Sequence, residues 1–174
     1  MKAIRFLLIG LVSGLTACSY TFTVDLGNQT LDLSNLPPVP PENSAFVIYA
    51  AAPRTFTPPP LDVVRGLRVV GEARANQPLV LTLHVYGRLQ DPAQDPSCQV
   101  FSGIALCSAA PGEALGTLAF QGSDRTSFTL SGQTLLEGVR QGRLWLGVAP
   151  EGALPPGLSQ IHLEGLKAYV TVGL

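Results

Sequence analysis

The sequence predicts an all-β fold: two antiparallel sheets packed as a sandwich, with one short helix near residues 135–141. Three observations carry this. Apolar and polar residues alternate with period two in one segment after another, the spacing of half-buried strands. The alternating runs are rich in β-branched and aromatic residues, which suit a pleated surface. The 18 glycines and 15 prolines among 174 residues fit many short strands joined by turns better than long helices. Packing two sheets face to face is the economical way to bury the apolar sides of such strands.

Lys2 and Arg5 precede an uncharged run, FLLIGLVSGLT, at residues 6–16. That run is too short to cross a bilayer as a helix, which takes ~20 residues. A charged start, a short apolar centre and a small-residue exit are the parts of an export signal. The exit reads Leu15-Thr16-Ala17-Cys18. Here the chain resembles bacterial lipoproteins, whose lipobox is an aliphatic residue, two small residues and a cysteine. The resemblance implies that Cys18 carries a diacylglycerol on its sulfur, that cleavage falls just before it, and that its new amino group is acylated. The membrane, reached through lipid on Cys18, is then the first partner. Each buried CH₂ contributes ~0.8 kcal/mol and one acyl chain holds only marginally, so two or three make a stable anchor. Ser19, where Asp would retain the protein elsewhere, implies sorting to the outer membrane in a two-membrane bacterium.

The expected organisation follows. Residues 1–17 are the signal peptide, 18–43 a lipidated segment of short strands or tether, and 44–174 the sandwich domain. Loss of Lys2 and Arg5 with the signal leaves nine basic residues against twelve acidic, a net charge of −3. That balance does not suit nucleic acid. Only 13% of residues are charged, so the surface is unusually apolar or is covered by an envelope protein or glycan.

Within the exported part, YTFTVDL (20–26) puts Tyr20, Phe22, Val24 and Leu26 on one face and Thr21, Thr23 and Asp25 on the other. Gly27-Asn28 permits a turn before TLDL resumes the alternation. PPVPPE (37–42) is stiff chain and a natural boundary. AFVIYAAA (45–52) is a buried-strand candidate, and TPPP (57–60) cannot be central strand. Strands are expected over about 61–74 and 78–89. In the second, Leu79, Leu81, Leu83 and Val85 share one face, and Thr82, His84, Tyr86 and Arg88 the other. DPAQDP (91–96) is a loop.

In CQVFSGIALC, a two-residue turn at Ser102-Gly103 sets Phe101 against Ile104 and brings Cys98 opposite Cys107 on a non-hydrogen-bonded pair. Facing Cα atoms are then ~4.5 Å apart, within disulfide range. In an exported chain this even pair reads as a disulfide. Phe101, Ile104 and Leu106 share the opposite face and are expected to point to the core. Strands follow at 114–120 and 125–131. Thr134-Leu-Leu-Glu137 fits a capping box, which predicts a helix ending at Gly142. RLWLGVA (143–149) returns to strand. In SQIHLEGLKAYVTVGL the apolar phase slips at Gly165, the signature of a β-bulge. The run 125–174 (strand, capped helix, strand, loop, long last strand) resembles the closing part of jelly-roll carbohydrate-binding modules, which implies a jelly-roll-like sandwich.

Few residues suggest chemistry. His84 and His162 are the two histidines and lie on different strands; a metal site would need them together with an acid such as Glu164 or Asp91. Asp91 and Asp95 lack the ligand density of a Ca²⁺ loop. No G-x-S-x-G elbow occurs, and Ser123 lacks the strand–turn–helix context of a nucleophile. No Gly-rich phosphate loop precedes a helix. Neither a cofactor, a metal nor a catalytic group is expected. Trp145 lies opposite Leu144 and Leu146, as core from the second face or as an exposed stacking ring. Tyr86, Arg88 and Trp145 are the candidates for a binding surface.

The sequence thus leads to a non-enzymatic, lipid-anchored envelope protein whose sandwich binds or assembles with another envelope component. A carbohydrate-binding module is the alternative, and a hydrolase with a spatially assembled acidic or metal site the third.

Overall fold

A computed structural model describes residues 19–33, 46–55, 57, 63–101, 103–108 and 112–173, and among these are nine strands, all paired antiparallel, and one α-helix. The expected export signal, Cys18, the expected proline boundary at 37–42, most of TPPP and Ser102 lie outside the described residues. In order, the elements are β1 Tyr20–Asp32, β2 Val47–Ala50, β3 Arg54–Thr55, β4 Val64–Arg88, β5 Cys98–Phe101, β6 Ile104–Cys107, β7 Glu113–Ser131, α1 Gln133–Gln141, β8 Arg143–Glu151 and β9 Gln160–Val172. A single 3₁₀ turn, Pro92–Gln94, sits in the loop after β4.

The two strands expected at 61–74 and 78–89 are one 25-residue strand, β4. The register to β7 is broken between Arg74 and Leu79, where Pro78 has no amide to donate. Asn76 and Gln77 point out of this break and donate to the carbonyls of Gly157 and Pro156, each at 3.1 Å, pinning the β8–β9 loop to it. The expected strands at 114–120 and 125–131 likewise fuse into β7. Both long strands therefore serve two layers. In one, the first half of β4 pairs with β9, and β9 with β1; in the other, the second half of β4 pairs with β8, followed by β2, β6 and β5. Passing through both layers, β4 and β7 join them into a single nine-stranded sheet.

The core lies on one phase of β4 throughout. Ala73, Ala75, Leu79, Leu81, Leu83 and Val85 are buried with Leu118, Phe120, Phe128 and Leu130 of β7 and Ile161 and Leu166 of β9. Helix α1 adds Leu135 to this core. The phase slip at Gly165 is a bulge, as the alternation implies: Val70 pairs with Lys167 but Glu72 with Glu164, and Gly165 has φ +58°. At Gly27-Asn28 the outcome differs. β1 does not turn; it continues along β9 through register shifts on both sides of Gly27, because β9 continues to offer it partners. Residues 20–32 of the expected 18–43 segment thus form a strand docked on β9, and 34–43 lie outside the described residues.

The helix also differs in its start. It begins at Gln133, with Gly132 as N-cap. Glu137 does not reach back; it accepts from Gln141 at 3.0 Å and from Arg140 at 3.4 Å. The capping carboxylate is Glu113, from the start of β7, which accepts from the Gln133 amide at 2.9 Å and from the Thr134 amide. Gly142 closes the helix, donating to the Gly138 and Val139 carbonyls.

Candidate functional site

The β5–β6 hairpin has the register read from the turn: Phe101 faces Ile104, Val100 faces Ala105, Gln99 faces Leu106 and Cys98 faces Cys107. A disulfide joins Cys98 to Cys107, with Cα atoms 4.0 Å apart. The expected burial of Phe101, Ile104 and Leu106 needs correction. Their face is the core side, since Leu106 pairs with Ile48, Ile48 with Val148 and Val148 with Val85. They lie at the sheet's far edge, however, and Phe101 is 41% exposed. The better covered side is the disulfide side. Cys107 and Ala105 join Val47, Tyr49 and Trp145 in a second small core on the outer face of the layer. Tyr49 lies so close over Gly147 that a Cβ there would sit 2.6 Å from its ring, so only glycine fits.

Arg88, a binding-surface candidate in the sequence, is buried beside this second core. Its guanidinium donates to Asp95 at 3.0 Å, approaches the Cys98 and Cys107 sulfurs at 3.7 and 3.9 Å, and stands 5.5 Å from the centre of the Tyr49 ring. Asp95 also accepts from the Ser97 hydroxyl at 2.7 Å and the Ser97 amide at 2.9 Å. These bonds, Ser97's first and Arg88's after, hold its carboxyl at about 2. Burial pushes the Tyr49 hydroxyl up to about 12, against the lowering effect of Arg88. Asp91 accepts from the Ala93 amide at 2.9 Å and fixes the 3₁₀ turn.

A cavity of about 820 Å³ opens beside this network, lined among others by Pro53, Arg88, Gln90, Asp95, Arg143 and Trp145. Trp145 is core, as one of its two expected placements had it, with its indole donating to the Ala51 carbonyl at 3.4 Å. At 4% exposure it leaves no flat ring open for stacking. Tyr86 is half-buried against the second core and does not line the cavity. Arg143, absent from the sequence candidates, stands exposed with its guanidinium 5.8 Å from the Trp145 ring centre. The phase of RLWLGVA, which puts Arg143 with Trp145 and opposite Leu144, is the signal that finds it.

The cavity offers amide and guanidinium donors suited to a polar ligand. Asp95, ionised down to about pH 2, is not a proton donor at neutral pH. The histidines have separate settings: His84 beside Thr117 and Glu151, His162 beside Thr30. Among the described residues no cluster of three or more His, Cys, Asp or Glu could hold a metal ion.

A second feature lies at the other end of the sheet. Tyr20, Phe22, Val24 and Leu26 of β1 are 68, 39, 39 and 37% exposed. Phe22 and Val24 face Val170 and Ala168 of β9, which in turn face Leu67 and Val69 of β4. The row therefore continues the core face beyond the area that the core fills.

An all-β sandwich with a disulfide-braced hairpin and a polar cavity is the class these features define. No protein-family model matches the chain, and no curated protein matches its sequence.

Proposed function

We propose that this chain is a non-enzymatic envelope lipoprotein, attached to the membrane through Cys18, whose sandwich presents a surface to another envelope component. The observation that carries the reading is the placement of Leu15-Thr16-Ala17-Cys18: the lipobox ends two residues before β1 begins at Tyr20. The lipid site thus leads straight into a folded strand, which holds the domain against the bilayer. The cavity beside the hairpin, with Arg143 and Gln90 at its wall, is the proposed place for a polar group of the partner, an envelope protein or a glycan. The disulfide supports an oxidising compartment outside the cytoplasm. With Ser19 after the cysteine, the outer membrane is the proposed location in a two-membrane bacterium.

Replacing Cys18 by Ser tests the anchor. The variant is expected in the soluble fraction, without label from a fatty-acid probe, while the wild type is labelled and stays with the membranes. Wild-type protein that partitions into the aqueous phase on detergent extraction overturns the reading.

A further inference from the structure

The alternation in β1 is that of a strand with one face buried, yet the apolar face is open. Thr21, Thr23 and Asp25 occupy the other face, and the Tyr20 and Phe22 rings stack with centroids 6.4 Å apart in the open row. Among the described residues β1 pairs with β9 as an edge strand of the sheet. A long apolar edge strand left in water is an aggregation hazard, and a folded protein covers or blunts it. What covers it follows from the neighbouring chain. Cys18 is two residues from Tyr20, so its backbone can lie no more than about 7 Å away. Acyl chains on that sulfur bring the bilayer within reach of the row at high effective concentration, which no separate partner matches.

The chemistry of the row agrees. Tyrosine pairs an apolar ring with a hydroxyl and favours the headgroup level, where phenylalanine, valine and leucine enter the acyl boundary. At ~3.3 Å per residue the row runs ~20 Å along the strand.

We propose that the Tyr20–Phe22–Val24–Leu26 row lies in the interfacial layer of the membrane that holds Cys18, so that β1 runs along the bilayer surface and fixes the orientation of the domain. This rests on the lipoprotein reading and adds an orientation to it.

The test uses full-length protein purified from its native membranes and reconstituted into phosphatidylethanolamine–phosphatidylglycerol vesicles with brominated acyl chains. Phe22→Trp places a reporter in the row, and Thr23→Trp one on the opposite face. Both positions are exposed, and an intact Cys98–Cys107 disulfide with unchanged circular dichroism certifies the fold. Wild-type Trp145, held in the second core, supplies the background. Bromine is expected to quench the position-22 reporter at least twofold more than the position-23 reporter, with a blue-shifted emission at position 22. Equal quenching in vesicles that carry the protein up a flotation gradient overturns the docking and leaves the anchor standing. Wild-type protein that fails to float overturns both. A position-22 reporter unquenched in vesicles but shielded in native membranes assigns the row to a protein partner and also overturns the proposal.

Discussion

At the scale of single residues, the Asp95 carboxylate organises the hairpin end of the molecule. It receives two bonds from Ser97 and one from Arg88, and Arg88 in turn rests on Tyr49 and the disulfide sulfurs. Its pKa falls from the ordinary 3.8 to about 2 on folding. A carboxyl whose folded value is depressed contributes stability that is present above the unfolded value and lost as pH falls through the folded one. The wild type should therefore lose stability between about pH 4 and pH 2 through this group, and Asp95→Asn, with no carboxyl to protonate, should not. Urea midpoints at pH 5, 3 and 2 check this: the variant starts lower and the two converge as the pH drops. Parallel curves down to pH 2 would show that Asp95 carries no such linkage. Sequence reasoning saw Asp95 as a loop residue short of Ca²⁺ ligands and Arg88 as a binding-surface candidate on the polar face of its strand. The phase of β4 does give the side of the sheet on which Arg88 stands. It does not say that a second small core and the 91–97 loop close over that side, because that closure depends on pairings between β2, β6 and β8 that no local pattern encodes.

At the scale of elements, spacing was informative wherever the partners were close in sequence. The Cys98–Cys107 register followed from a two-residue turn, and the Gly165 bulge from a slip of phase. The helix start is the instructive failure. Thr134 and a glutamate do meet at the N-terminus of α1, but the glutamate is Glu113, twenty-one positions back. The Thr134 hydroxyl first, then the Thr134 and Gln133 amides, hold its carboxyl below the usual carboxylate range. A capping box is a local code, and a cap supplied by another strand leaves no local trace. The consequence is measurable. Glu113→Ala should cost about 1–2 kcal/mol, the usual loss of a helix cap, whereas Glu137→Ala, whose partners Gln141 and Arg140 lie on the same helix, should cost clearly less. Equilibrium urea unfolding of the two variants decides between the two caps. A larger loss at Glu137 would restore the local capping box.

At the scale of the whole molecule, the all-β class and the sandwich were legible because alternation and turn residues agree along the chain. The continuity between layers was not. Pro78 and the polar run around Asn76 look like a break between two strands, and only the flanking partners show that the same strand resumes in the other layer. That continuity has a mechanical consequence. β4 contributes to both layers and β7 pairs with it along nearly its whole length, so neither layer can lose its pairing without exposing part of the shared core. The second core around Tyr49 and Trp145 is built on β8, which also pairs with β4 and places Leu144 in the main core. The hairpin end is therefore coupled to the rest through β8. Trp145 reports on the second core and far-UV circular dichroism on all strands together. The two signals should give superimposable urea transitions with a single midpoint while the disulfide is intact. A Trp145 transition that finishes before the strand signal falls would show that the second core opens on its own, and that β8 does not transmit its loss to β4.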